Sequence, residues 1–250
     1  MVYINPSINI LSKSLRNIGR NILRDFSEVE KLQSSIRGTE DFSRKAIIKI
    51  KQKIQIVLSE FKPNYSFQFS DTNNIKEKSN DFFFVCPLNG FINFSHAIPH
   101  FCMSISMSEN SKIITELIYD PIKDEMFYAS EGKGAYLNDS RIRVSLRSKI
   151  ENSLLIVNNI EKTKESLKVK EKFIFLRETG CSNLDKCYVA SGRSEALIQM
   201  NLKNNEFIPG TLIIREAGGV AENLNINKTN VFYASNIKCQ NSIKEIINNM

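Results

Sequence analysis

Five side chains able to do chemistry lie close together in one part of the chain: Cys86, Asn89, Asn93, His96 and His100. A cysteine thiol can attack an electrophilic centre, an asparagine amide can bind a ligand, and a histidine can transfer a proton. No carboxylate lies beside either histidine in the sequence, so we expect both to be packing or capping residues. Cys86 has two interpretations, a reactive nucleophile or a small buried apolar residue, and we favour the second.

The elements around these side chains should hold them rigidly. Phe82 to Val85 form a continuous apolar run, which is typical of a strand buried on both faces. Pro87 is expected to end the hydrogen-bonded ladder, because proline has no amide hydrogen to donate. Asn89-Gly90 then predicts a tight turn, since both residues tolerate a positive φ. A loop at the end of a buried strand is a common place for a binding site.

The segment from Cys86 to Phe94 resembles the signature of the inositol monophosphatase family, Asp-Pro-Ile/Leu-Asp-Gly-Thr-Thr-Asn-Phe. The positions that match it are Pro87, Leu88, Gly90, Asn93 and Phe94. Segments 119–129, 132–138 and 215–219 also match that family, the first two nearly residue for residue, and the resemblance runs from about residue 7 to the end. Cys86 and Asn89 stand where the family has its two aspartates.

The resemblance also implies which positions would form the site. The family's five metal-binding carboxylates correspond to Ile47, Ser70, Cys86, Asn89 and Glu206, and Leu88 lies between the two loop positions. The implied catalytic positions are Ile47, Phe91 and Ile92, the last two replacing threonines that help to orient the attacking water. The implied substrate-binding positions are Gly90, Asn93 and Gln199. Asp71, which follows Ser70, could serve as a surrogate metal ligand.

These replacements predict a site that binds magnesium poorly. Magnesium needs hard oxygen ligands in a near-octahedral shell, and carboxylates supply much of the opposing charge. Only Glu206 of the five ligand positions is still an acid. Loss of one supporting partner already weakens metal binding by ~10–100-fold, so we expect no tightly bound cofactor although the family uses Mg²⁺. Phe91 and Ile92 should also crowd water and phosphate out of the loop.

Two functions remain compatible with these residues. The first is a family member that has lost most or all phosphatase activity and acts by binding a protein or RNA. The second is a working magnesium-dependent phosphatase with an unusual site, acting on inositol 1-phosphate or a related sugar phosphate. The count of carboxylates favours the first.

Positive charge is concentrated near the start of the chain. Residues 1–62 contain twelve Lys/Arg and six Asp/Glu, and so carry +6 of the net charge of +7. Residues 44–53 hold five cations and no acid, and such a face can attract phosphate-rich partners. The family's bacterial SuhB branch, which shares a similar His-Ala-Ile-Pro-His-Phe segment, implies an RNA or RNA-polymerase-associated partner. The alternative is a solvated helix face, which the absence of interleaved aromatic residues favours.

The apolar periodicity predicts an α/β fold. Steps of three and four predict a helix over residues 7–26 and a second helix between Gly38-Thr39 and Pro63. Short alternating runs separated by turn signals predict an antiparallel meander sheet in the N-terminal half. Alternating strands and helices predict a mixed sheet with helices in the C-terminal half.

The sequence predicts the positions of two helices in the C-terminal half. One is expected over residues 162–172, and another has Pro209 in its first turn. The resemblance implies a layered αβαβα order. We expect one domain, 1–250, with sub-halves of about 1–147 and 148–250.

The cysteines and the ends of the chain indicate its compartment. Five cysteines without a CxxC pair favour free thiols in a reducing cytoplasm. The start of the sequence has no recognisable signal peptide, and no apolar run approaches the ~20 residues needed to span a bilayer, so no membrane contact is expected. Family members are often dimeric, which implies a possible homodimer.

Overall fold

The computed structural model describes residues 6–33, 36–71, 79–159, 175–202, 205–226 and 229–248. Two long helices come first, α1 (Pro6–Lys31) and α2 (Ile36–Phe61). Both bury one apolar stripe, and α2 ends just before Pro63 as predicted. The prediction that Gly38-Thr39 precedes α2 is wrong, because both residues lie inside its first turns. A glycine costs a helix only ~1 kcal/mol relative to alanine, and packing of the helix can outweigh that cost.

Seven strands form the first sheet and pair in their order along the chain. They are β1 (Ser66–Phe69), β2 (Phe82–Asn89), β3 (Cys102–Glu109), β4 (Lys112–Asp120), β5 (Glu125–Ser130), β6 (Gly134–Leu137) and β7 (Ser140–Ile142). A short helix, α3 (Phe91–Ser95), follows β2. The predicted meander is correct for β2 to β7, whereas β1 pairs with β2 in parallel.

Five strands form the second sheet, in the order β11-β12-β10-β8-β9. They are β8 (Leu154–Asn158), β9 (Phe175–Arg177), β10 (Ala196–Met200), β11 (Val220–Ile226) and β12 (Thr229–Ser235). The sheet is mixed, since β8 pairs in parallel with β9 and β10 and the other pairs are antiparallel. The helices of this half are α4 (Ser182–Ala190), α5 (Thr211–Glu216) and α6 (Gln240–Asn248).

Three apolar cores separate the layers. The first joins α1 and α2 to one face of the first sheet, and the second joins the other face to α4, α5 and the second sheet. The third joins the second sheet to α6. Strand β8 shows the alternation, because Leu155 and Val157 enter the third core while Ile156 enters the second. The layered order is therefore αβαβα.

Two predicted element ends differ in the structure. The ladder does not end at Pro87: β2 continues to Asn89, and its pairing with β3 shifts register between Cys86 and Asn89. A register shift of this kind tolerates a residue that cannot donate a ladder hydrogen bond. Pro209 is not in the first turn of α5, which begins at Thr211 after Gly210 in a left-handed conformation. The helix expected over 162–172 lies outside the described residues.

Candidate functional site

The predicted site residues converge on one cleft of about 430 Å³. It lies where the end of β2 meets α4, β10 and the segment before α5. Of the predicted positions, those that line it are Ile47, Ser70, Asp71, Cys86, Leu88, Asn89, Gly90, Phe91, Gln199 and Glu206. Residues distant in sequence therefore line a common cleft, and of the predicted positions only Ile92 and Asn93 are absent from its wall.

The side chain of Ile92 points away from the cleft. It is 64% exposed on the surface of α3, so the expectation that it crowds water and phosphate out of the loop is wrong. A helical turn directs neighbouring side chains about 100° apart, and α3 was not predicted from the sequence. Phe91 does line the cleft, and the guanidinium of Arg44 lies 5.2 Å from the centre of its ring.

Asn93 and Gly90 fix the shape of the loop. The buried Asn93 amide donates hydrogen bonds to the carbonyls of His100 (2.8 Å) and Thr179 (2.9 Å), so it joins the loop to the C-terminal half. Gly90 has a φ of 91°, and a Cβ there would lie 2.9 Å from the carbonyl oxygen of His100. The position therefore requires glycine.

Asn89 caps α4 from across the cleft. Its Oδ1 accepts a hydrogen bond from the backbone amide of Asn183 at 3.0 Å, and the hydroxyl of Ser182 donates to it at 3.4 Å. Cys181, at the N-cap position itself, makes no side-chain cap. The oxygen that could have served a metal is thus bound to the first turn of a helix.

Cys86 has the character of a core residue. It is 4% exposed, and burial raises the pKa of its thiol to about 11. The thiol is therefore neutral at physiological pH, whereas a nucleophilic cysteine needs the thiolate form. The interpretation of Cys86 as a small buried apolar residue agrees with this environment.

The two acids of the cleft do not form a metal site with their neighbours. Both carboxylate oxygens of Asp71 accept hydrogen bonds from Lys51, at 2.9 and 3.0 Å, so a cation would have to displace the ammonium group. Glu206 lines the cleft, and Lys186 donates to its backbone carbonyl at 2.8 Å. Within the described residues no three His, Cys, Asp or Glu side chains are grouped to hold a metal. This donor set does not fit magnesium.

Gln199 offers the cleft a buried acceptor. It is 1% exposed, and its Oε1 has no hydrogen-bond partner in the described part of the chain. A buried carbonyl oxygen without a partner is costly, and a ligand hydroxyl or N–H group would satisfy it.

Sequence reasoning missed the wall contributed by the C-terminal half. The missed residues are Asn158, Asn159, Gly180, Ser182, Asn183, Leu202 and Pro209. Asn158 ends the buried strand β8, and a polar residue at the end of an apolar run is a usable signal. Its amide donates to Asp185 at 2.7 Å. The hydroxyl of Thr179 donates to the other oxygen of Asp185 at 2.6 Å, and burial raises the pKa of this acid to about 6.

A second buried acid lies between the first sheet and α5, and it too was missed. Glu116 accepts hydrogen bonds from the amides of Leu212 (2.9 Å) and Ile213 (3.2 Å) and from the hydroxyl of Ser106 (3.1 Å). Burial raises its pKa to about 7 and lowers that of the nearby Lys186 to about 8. These groups connect the two halves behind the cleft.

Several known proteins are similar to this chain in sequence and in fold. Inositol-1-monophosphatase of Rhizobium meliloti is 31% identical over 85% of this chain and 83% of that protein. Nus factor SuhB of Haemophilus influenzae is 30% identical over 87% of this chain and 85% of that protein. The structure of the extragenic suppressor protein suhB from Bartonella henselae has a TM-score of 0.85 and 30% identity, covering 97% of this chain and 99% of that one.

None of the helices in the described part of the chain is both long and apolar enough to cross a membrane.

Residues 5–249 match the inositol monophosphatase family. With the SuhB proteins among its relatives and structural neighbours, the chain belongs to the inositol monophosphatase family.

Proposed function

We propose that this chain is a non-hydrolytic, SuhB-like member of the family that acts by binding. The observation that carries the proposal is that three of the cleft's candidate ligand groups are not available to a metal. Asn89 caps α4, Asp71 pairs with Lys51, and Cys86 is a buried neutral thiol. Within the described residues, Glu206 belongs to no group of three His, Cys, Asp or Glu side chains that could hold a metal, whereas a magnesium shell draws much of its charge from carboxylates.

Loss of the metal removes the chemistry of the family. Two-metal hydrolysis uses one ion to generate a hydroxide nucleophile and the other to stabilise the leaving oxygen. Neither Cys86 nor Asp71 replaces the first role, since the Cys86 thiol stays protonated and both oxygens of Asp71 contact Lys51.

The test is phosphate release from inositol 1-phosphate by the purified protein in millimolar magnesium. We expect background rates. Calorimetric titration with magnesium should show no binding, with or without the phosphate ester. A rate above background that disappears in Glu206→Ala would establish the other candidate, an active phosphatase like the relatives named inositol-1-monophosphatase.

A partner from the transcription machinery is the second part of the proposal. Several relatives carry the name Nus factor SuhB, and residues 44–53 supply the basic surface here. Reversal of Lys45, Lys49 and Lys53 to Glu should weaken association with RNA polymerase or RNA in a salt-dependent way. A homodimer stays a prediction, which light scattering of the purified chain tests directly.

A further inference from the structure

We infer that the exposed side of α2 is a docking surface for an acidic, amphipathic segment of a partner protein, an inference that rests on the proposed binding function. We name this surface the α2 outer face. Its residues are Lys45, Ile48, Lys49, Gln52, Lys53 and Ile56. None of them lines the cleft, so the surface is separate from the site described above.

The six side chains share one side of the helix. At about 100° per residue they fall within an arc of about 140°. The opposite side carries Ala46, Ile50, Ile54 and Leu58, which are buried in the first core. The outer face extends for about 17 Å along the helix, which is the length of three turns of a partner helix.

The positive charge of this face is not balanced by ion pairs among the described residues. Residues 42–59 contain no acid. Two of the five cations in residues 44–53 have partners, since Arg44 pairs with Glu40 and Lys51 with Asp71. The other three, Lys45, Lys49 and Lys53, have no ion pair with any residue that the structure describes.

The spacing of these three lysines adds to the argument. They are four residues apart and therefore neighbours along the helix, where like charges repel each other. An acidic partner would replace this repulsion by attraction and would also speed association.

Exposed isoleucines distinguish a protein partner from a nucleic acid. Ile48 is 55% exposed and Ile56 59%, and they are two helical turns apart on the same face as the lysines. Ile92, 64% exposed, adds apolar surface on α3, which packs against α2. Apolar anchors flanked by charge are the features that a helix-binding surface uses. Single-stranded RNA instead needs aromatic side chains for stacking, and the α2 outer face has none.

The test measures fluorescence anisotropy of a labelled helical peptide binding to the full chain. The probe is a peptide of about five turns with leucines at every third or fourth position and glutamates beside them. A matched peptide with lysine in place of glutamate and a labelled single-stranded RNA are the comparison ligands. Three variants are used: the lysine variant Lys45→Glu/Lys49→Glu/Lys53→Glu, the isoleucine variant Ile48→Gln/Ile56→Gln, and the control Lys133→Glu/Arg143→Glu/Lys149→Glu. The control makes the same change in net charge at exposed positions outside α2.

We expect the acidic peptide to bind and the basic peptide not to bind. The lysine variant should lose at least about tenfold in affinity at low salt. The isoleucine variant should lose about threefold at low and high salt alike, because apolar contacts are not screened. The control should stay within about twofold of the parent chain.

Three results would overturn the inference. They are failure of the parent chain to bind the acidic peptide, an equal loss in the control variant, and binding of RNA that depends on the lysines but not on the isoleucines. Phosphatase activity is measured on the same preparations. Its presence would contradict the proposed loss of hydrolysis and would leave the docking result standing.

Discussion

The strands of the first sheet and the cleft beside them differ in how far the resemblance predicts that they follow the family. The nearly residue-for-residue resemblance of segments 119–129 and 132–138 falls on the end of β4 and on β5 and β6. In the loop beside the cleft, the resemblance predicts that the backbone features of the family signature, Gly90 and Asn93, are kept and that its acids are replaced. We infer that the residues of these strands are required for packing. That requirement is the same whether or not the site is catalytic.

A substitution in the packed strands of the first sheet should lower the stability of the protein far more than a substitution in the cleft. Phe127 is fully buried in the second core, so Phe127→Ala should lower the free energy of unfolding by ~3–5 kcal/mol. Phe91, a half-buried cleft residue of the same type, is the matched control, and Phe91→Ala should cost less than half as much. Denaturant unfolding of both variants measures the difference. Equal losses would mean that the cleft contributes as much to folding as the core.

The buried acid between the halves predicts a pH dependence. Folding raises the pKa of Glu116 from 4.5 to about 7, so the folded state holds its proton through a range in which the unfolded state has lost it. Its stabilising contribution is complete below pH ~4.5 and is lost as the pH rises through 7, by at most ~3 kcal/mol. The pKa of Asp185 is raised to about 6, so its contribution to the free energy of unfolding is lost over a lower range of pH.

Glu116→Gln should therefore flatten the fall in unfolding free energy between pH 6 and 7. Chemical denaturation across this range measures it, with Glu131→Gln as a surface control. A variant that keeps the slope of the parent chain would show that Glu116 is not responsible.

Substitutions at Asn89 test whether this residue, at a position where the family signature implies a metal ligand, serves here as a cap of helix α4. Asn89→Ala should cost ~1 kcal/mol, the usual value of an N-cap, because the Asn183 amide loses its acceptor. Asn89→Asp should keep the cap, since a carboxylate is favoured at a helix N-terminus. Thermal unfolding compares the two. A stability of the alanine variant equal to that of the parent chain would contradict the capping role.

Of the changes considered, removal of metal should have the smallest effect on the stability of the folded chain. The described residues of the cleft include no cluster of repelling carboxylates that needs an ion, and an ion far below its dissociation constant stabilises a protein hardly at all. Thermal midpoints in EDTA and in millimolar magnesium should agree within about a degree. A rise of several degrees with magnesium would mean that Glu206, Asp71 and the loop oxygens still assemble a site.

Local sequence determined a large part of this protein. The stripes of α1 and α2, the alternation of the strands and the turn residues predicted the two long helices and the two sheets, because each pattern reflects which side of an element is buried. The layered order was implied by the family resemblance. The positions named from the family resemblance include half of the described residues that line the cleft. The ends of elements were less predictable: Pro87 lies within β2, and Gly38 lies within α2.

Other properties were decided by contacts between distant residues. Asn89 caps a helix that begins more than ninety residues later, Asn93 holds Thr179, and Glu116 meets α5 almost a hundred residues away. The sequence names such residues but carries no local signal of the group that each will face. Hydrogen bonds, burial and the pKa values that follow from them arise only when the two halves pack together.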